Sequence, residues 1–250
     1  MITRHRAMLG AVLLLLAAAC GQQDPPGSGK GFTLRYEEPA AADRDHHRFL
    51  KDRAPAEAVL ADLNGHLALP RGVEVVARSC DGGGTGYDPE EHRIELCYDD
   101  LAEERDLIGR SGSAHPDEDL SHIVRETLYH EAGHALLDAL HRTLDDRAEE
   151  DAADRFAQVM LLRAGDPEGE QTLLAAARSY DAEAAADPAP DPADEHAPPA
   201  TRAASHRCAV YGAGPARHPE LAGPARADCS AVWTRTRDSW TRDLAPLLRH

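Results

Sequence analysis

The chain is short of basic charge: 27 Lys and Arg stand against 44 Asp and Glu, a formal net charge of −17. A nucleic-acid partner is thereby disfavoured, because gripping a phosphate backbone needs a basic footprint. CxxC spacing is absent, which leaves no basis for a cysteine-rich zinc knuckle. No internal repeat is present, and no wall-binding repeat. Long apolar runs are missing as well, apart from one near the N-terminus. That run, Ala7 to Ala19, is too short to span a bilayer as a permanent helix. With 42% hydrophobic and 28% charged residues, the 250-residue chain reads as mostly globular, long enough for one well-cored domain or at most two small ones.

The apolar run has a processing function. Arg4, His5 and Arg6 precede it as a basic n-region, and Leu16-Ala17-Ala18-Ala19-Cys20-Gly21 closes it. Small residues before a cysteine resemble the bacterial lipoprotein cleavage box, with Ala17 where leucine is more usual. The expected organisation is a signal peptide over 1–19, then lipidated Cys20 with a polar tether over 20–31, then one domain over 32–250. The protein is expected outside the cytoplasm, lipid-anchored to a membrane of the bacterial cell envelope. An ordinary signal peptide cut near Ala19 would also export it.

Four cysteines remain after Cys20. An even count in an exported chain suggests two disulfides. Of three possible pairings, Cys80–Cys97 and Cys208–Cys229 are favoured, since each brackets a short segment containing turn residues.

Apolar spacing at Val59, Leu60, Leu63 and Leu67 predicts a helix from Pro55 to Leu69. Val73 to Arg78 and Arg93 to Tyr98 alternate as strands around the turn cluster 81–86, a hairpin or sheet pair. The longest helical pattern runs from about Asp119 to Leu144, and further helices are expected over 147–163 and 168–185. Residues 187–199, rich in Asp, Pro and Ala, cannot be regular throughout. A last helix bearing Trp233 and Trp240 closes the core.

Within the longest helix lies His130-Glu131-Ala132-Gly133-His134, an HExxH sequence. Positions i and i+4 lie one above the other on a helix, so both imidazoles can reach one Zn²⁺. Glu131 falls beside the metal, where it can take a proton from a water. A metzincin would continue as HExxHxxGxxH, but Leu137 and Leu140 occupy those Gly and His positions. The third ligand must lie elsewhere. Glu150 and Asp154 sit at i and i+4 on the next helix. Glu150 is favoured over Glu149 as ligand, and Asp154 as the partner of a ligand histidine's other ring nitrogen. His196 is the candidate for stabilising the oxyanion, ahead of Tyr211 and His206. Tyr129 reads as packing. Gly133, costly in a helix, suggests close approach of a strand backbone.

HEAGHALLDAL followed by EEDAADRFA resembles the gluzincin pattern, HExxH on one helix and ExxxD on the next. More closely, the chain resembles a bacterial zinc-metallopeptidase family of unassigned function. The likeness extends through LPRGVEVVARSC, YDPEEHRIELCYDDL, the motif helices, Asp194-Glu195-His196, CAVYG and the Trp-bearing tail. It implies an α+β domain, with a small β-sheet packed on an active-site helix and a mainly helical C-terminal part. It further implies zinc at His130, His134 and Glu150, with Glu131 as base. A long aromatic and polar stretch usual after the DEH segment is reduced here to residues 197–202. The expected function is zinc-dependent hydrolysis of peptide bonds by a monomer. A lipid-anchored zinc-binding module, or a hydrolase of a non-peptide envelope amide, are the alternatives; intact Glu131 argues against the first.

Overall fold

The computed structural model describes residues 30–249 apart from Pro190 and Pro192. The expected signal peptide, the expected lipidation site Cys20 and all of the expected tether but its last two residues lie outside the described residues.

The β-branched segment Val73–Arg78 (β2) forms the inside of a four-stranded sheet. On one flank it pairs in parallel with β1 (Phe32–Tyr36), and on the other in parallel with β4 (Arg93–Cys97). β3 (Gly86–Asp88) pairs antiparallel with β4 and forms the sheet's edge, giving the order β1-β2-β4-β3. The two strands foreseen from the sequence therefore pair, but not as a hairpin. The chain between them makes room for β3, and the hairpin is β3–β4. Cys80–Cys97 joins the ends of β2 and β4, with Cα atoms 5.5 Å apart. Cys208–Cys229 joins two helices of the C-terminal part.

Eight α-helices accompany the sheet among the described residues, so the architecture is α+β and mostly helical. α1 (Arg44–Arg53) and α2 (Pro55–His66) follow β1, and α3 (Asp100–Ser111) follows β4. α4 (Pro116–Ala139) begins with Pro116 in its first turn and three acids, Asp117 to Asp119, which complement the helix dipole. It stops short of the expected Leu144 because His141 takes a left-handed conformation (φ 52°). There His141 N–H donates to the Asp138 carbonyl and Arg142 N–H to the Leu137 carbonyl, both at 2.9 Å, a Schellman stop. α5 (Asp146–Leu162) is capped by Asp145, whose side chain accepts from Ala148 N–H. α6 (Pro167–Ala186), α7 (Pro199–Ala213) and α8 (Cys229–Leu244) complete the helical part. None of these helices is long and apolar enough to cross a membrane among the described residues.

α4 is the central element. It packs against α2, α3, β3 and β4 as well as against α5 and α6. Its apolar face (Leu120, Ile123, Val124, Leu128, Leu136) is buried, at roughly 1.5–3 kcal/mol for each large side chain. Tyr129 is buried too, its hydroxyl donating to Asp62 at 2.7 Å, the packing role read from the sequence.

Gly133 needs correction. The backbone that approaches it is that of α5, not of a strand: a Cβ at 133 would stand 2.9 Å from Ala153 Cα. Side-chain movement cannot relieve a clash with backbone. Gly133→Ala is therefore expected to destabilise the fold by about 1–2 kcal/mol in chemical denaturation, overpacking outweighing the ~1 kcal/mol gained in helix propensity. Because Ala153 lies between Glu150 and Asp154, this contact also sets the height of α5 above the HExxH turn.

Candidate active site

Two helices crossing at Gly133 and Ala153 bring four titratable side chains of the motif region together. From α4, His130 and His134 turn their Nε2 atoms toward one point, 3.2 Å apart. From α5, Glu150 meets them: Oε2 lies 3.0 Å from His130 Nε2, and Oε1 lies 3.3 Å from His134 Nε2. Glu131, on the same turn of α4, lines the adjoining cleft and takes no side-chain hydrogen bond among the described residues.

The opposite ring nitrogens are held by carboxylates. His130 Nδ1 donates to Asp154 Oδ1 at 2.9 Å, and His134 Nδ1 to Glu149 Oε1 at 3.1 Å. With the Nδ1 atoms so engaged, both imidazoles present Nε2 to the convergence point. Asp154 is itself held by Arg202 of α7, whose Nη2 and Nε donate to its two oxygens at 2.6 and 3.0 Å. Arg202 also sits 4.4 Å over the Tyr180 ring.

Charge follows this geometry. Burial works against a cationic His130, yet Asp154 and Glu150 on its two nitrogens outweigh it and hold its pKa up at about 10. His134 is raised in the same way, burial being overcome chiefly by Glu150. Burial also opposes ionisation of Glu150, but the surrounding imidazoles hold its carboxyl far below the usual carboxylate range. Glu131 is raised by burial. A carboxylate and two imidazoles thus favour positive charge where their donor atoms meet.

The donor set fits a metal ion. Four-coordinate zinc with bonds of about 2.0–2.1 Å holds its ligand atoms roughly 3.3 Å apart, close to the separations of 3.0–3.3 Å here. Glu150 Oε2 is buried and accepts no well-oriented hydrogen bond, although His130 Nε2 and His196 Nε2 lie 3.0 and 2.9 Å from it. Atoms that crowd together without hydrogen-bond geometry are placed as ligands are.

His196 reaches the site from the irregular stretch between α6 and α7, its ring stacked on His130 at 5.9 Å. Arg147 steadies that stretch by donating to the carbonyls of Glu195 and Asp194. The two lesser oxyanion candidates are elsewhere. His206 is fully buried, bonded to Glu126 and Gln158, and Tyr211 is not among the residues lining the cleft.

The cleft, about 310 Å³, runs between α4, α5 and the edge strand, with Thr85, Gly86 and Tyr87 along its far wall. Tyr87 hydroxyl donates to Asp138 at 3.0 Å, tying β3 to α4. Sequence reasoning missed Arg202, Tyr87 and the outer role of Glu149. In the sequence reading Glu149 is only the lesser ligand candidate, not a partner of His134 Nδ1; the Arg202 contact spans 48 residues and leaves no local signal.

Asp154→Asn keeps the shape but removes the charge facing His130 and Arg202. Metal affinity is expected to fall about 10–100-fold in a competition titration with a chromophoric chelator.

No curated protein and no solved structure matches the chain. A family model does, over residues 36–244. Since that match runs from within β1 to the last residue of α8 and takes in every residue of the cleft, the chain belongs to the family DUF4344, described as "Putative metallopeptidase".

Proposed function

We propose that the chain is a zinc-dependent peptidase of gluzincin type, with His130, His134 and Glu150 as the zinc ligands. The observation that carries this reading is the meeting of two Nε2 atoms and one carboxylate within 3.0–3.3 Å, with Glu131 beside them and unbonded among the described residues. Family membership makes a metal-dependent peptidase the natural activity for such a cluster.

When bound, zinc supplies Lewis acidity, polarising a carbonyl and lowering the pKa of water toward neutrality. The protein does the rest. Glu131 takes a proton from the water as its oxygen bonds to the carbonyl carbon, and passes it to the amine as the C–N bond breaks. His196, on the rim, donates a hydrogen bond to the oxyanion. Asp154 and Glu149 keep both ligand imidazoles in one tautomer. β3 uses one edge on β4, and its other edge lines the cleft, so an extended peptide can add to it as a further strand.

Two disulfides suit an exported protein, and Cys20 is the proposed lipid anchor holding a monomer at the cell envelope. The test is cleavage of a mixed peptide library by the purified chain, with and without a chelator. Chelator-sensitive cleavage, restored by zinc, is expected. A zinc-loaded chain that leaves every peptide intact would overturn the proposal and favour a non-peptide amide or a binding module.

A further inference from the structure

A second cavity lies beside the cleft. Thr85 lines both, and the second encloses about 530 Å³ between α3, α4 and the end of α6. Its floor is apolar: Leu96 of β4, Leu101 of α3, and Leu120, Ile123 and Val124 of α4 are all buried. The next lining residue along that helix face is Thr127, one turn before Glu131. Four residues of helix rise about 6 Å, so this wall of the cavity comes within about one helical turn of Glu131.

The walls carry one sign of charge. Six carboxylates line the cavity against a single guanidinium, Arg110. Asp100 is occupied in holding Thr85, accepting from its N–H at 2.7 Å. Glu104 and Glu183 form no ion pair among the described residues, although the charge of Arg202 reaches Glu183 from a distance; the one hydrogen bond to the Glu104 side chain comes from Ser179 Oγ at 2.7 Å. Burial, with Glu183 adding to it, pushes the Glu104 carboxyl up to about 7. A cation arriving there would replace lost hydration for a group that now lacks it.

We propose that this cavity is the subsite for a lysine or arginine side chain of the substrate, next to the scissile bond. The inference rests on the peptidase reading above and adds the substrate class to it. A long methylene stem lies on the leucine floor while the charged head meets Glu104 and Glu183. A purely apolar side chain would satisfy the floor alone and leave the Glu104 carboxyl, which burial already strips of hydration, without a cation.

The experiment compares the zinc-loaded chain with its Glu104→Gln variant on two peptides that differ only in lysine or norleucine at the flanking position. Library cleavage is expected to be enriched in Lys and Arg at one such position. Glu104→Gln is expected to lower the ratio of kcat/KM for the lysine peptide over the norleucine peptide by roughly 10- to 100-fold. Glu183→Gln, at the exposed rim, should move the ratio in the same direction by less, and answers the question if Glu104→Gln fails to fold. Cleavage without basic enrichment, or an unchanged ratio in the variants, would overturn the subsite and leave the peptidase standing. If no peptide is cleaved at all, calorimetry of both peptides on zinc-loaded Glu131→Gln decides. Tighter binding of lysine by about tenfold supports the cavity; equal binding overturns it.

Discussion

Glu131→Gln is expected to reduce peptide hydrolysis by about 10²- to 10⁴-fold while leaving metal content unchanged. The amide fills the space of the carboxyl, so the buried turn of α4 keeps its packing. What it lacks is a basic oxygen to receive the proton of the attacking water. Glu131 makes no contact that holds another residue of the site among the described residues, so its loss should not disturb His130, His134 or Glu150. The effect should fall on kcat more than on KM, since the proton moves only as the transition state forms. A variant that loses metal along with activity would mean that Glu131 is a metal ligand rather than the base.

The second large effect concerns Glu150. Its two oxygens touch both ligand imidazoles, and a third imidazole, His196, lies 2.9 Å from Oε2. Glu150→Ala should therefore weaken zinc binding by more than the roughly 100-fold upper range for an outer carboxylate such as Asp154 or Glu149. His130 and His134 alone cannot complete the three-ligand set of a hydrolytic zinc site. If His196 took Glu150's place as third ligand, affinity would be retained in Glu150→Ala and lost once His196→Ala is added. Competition against a chelator of known affinity measures the difference directly. Near-normal affinity in Glu150→Ala, with collapse in Glu149→Ala instead, would exchange the roles of the two acids.

Much of the motif region was legible because its information is local. HExxH and ExxxD each state their geometry in the 3.6-residue period, so the faces carrying His130, His134, Glu150 and Asp154 could be placed before any fold was known. The expected starts of α5 and α6, at 147 and 168, fall one residue inside the observed ones, where Asp145 and Asp166 cap the helices. What the sequence withheld is relational. Gly133 announced a close approach, yet nothing near it says which element approaches, and α5 rather than a strand fills that place. β3 has three residues in a glycine-rich stretch, too few for alternation to show, and its absence made β2 and β4 look like a hairpin. The helix α7 carries little amphipathic pattern, so Arg202 could not be aimed at Asp154. The disulfide pairing was readable from short spacing alone.

The central claim is that His130, His134 and Glu150 bind one zinc ion and leave room for the reacting groups. X-ray absorption at the zinc edge, on the purified chain loaded with one equivalent, tests it most directly. The account predicts two imidazole nitrogens and a carboxylate oxygen at about 2.0–2.2 Å, with one further exchangeable oxygen or nitrogen neighbour. Loss of one imidazole is expected in His134→Ala. Sulfur among the nearest neighbours, no stoichiometric zinc, or a coordination shell unchanged in His134→Ala would contradict it.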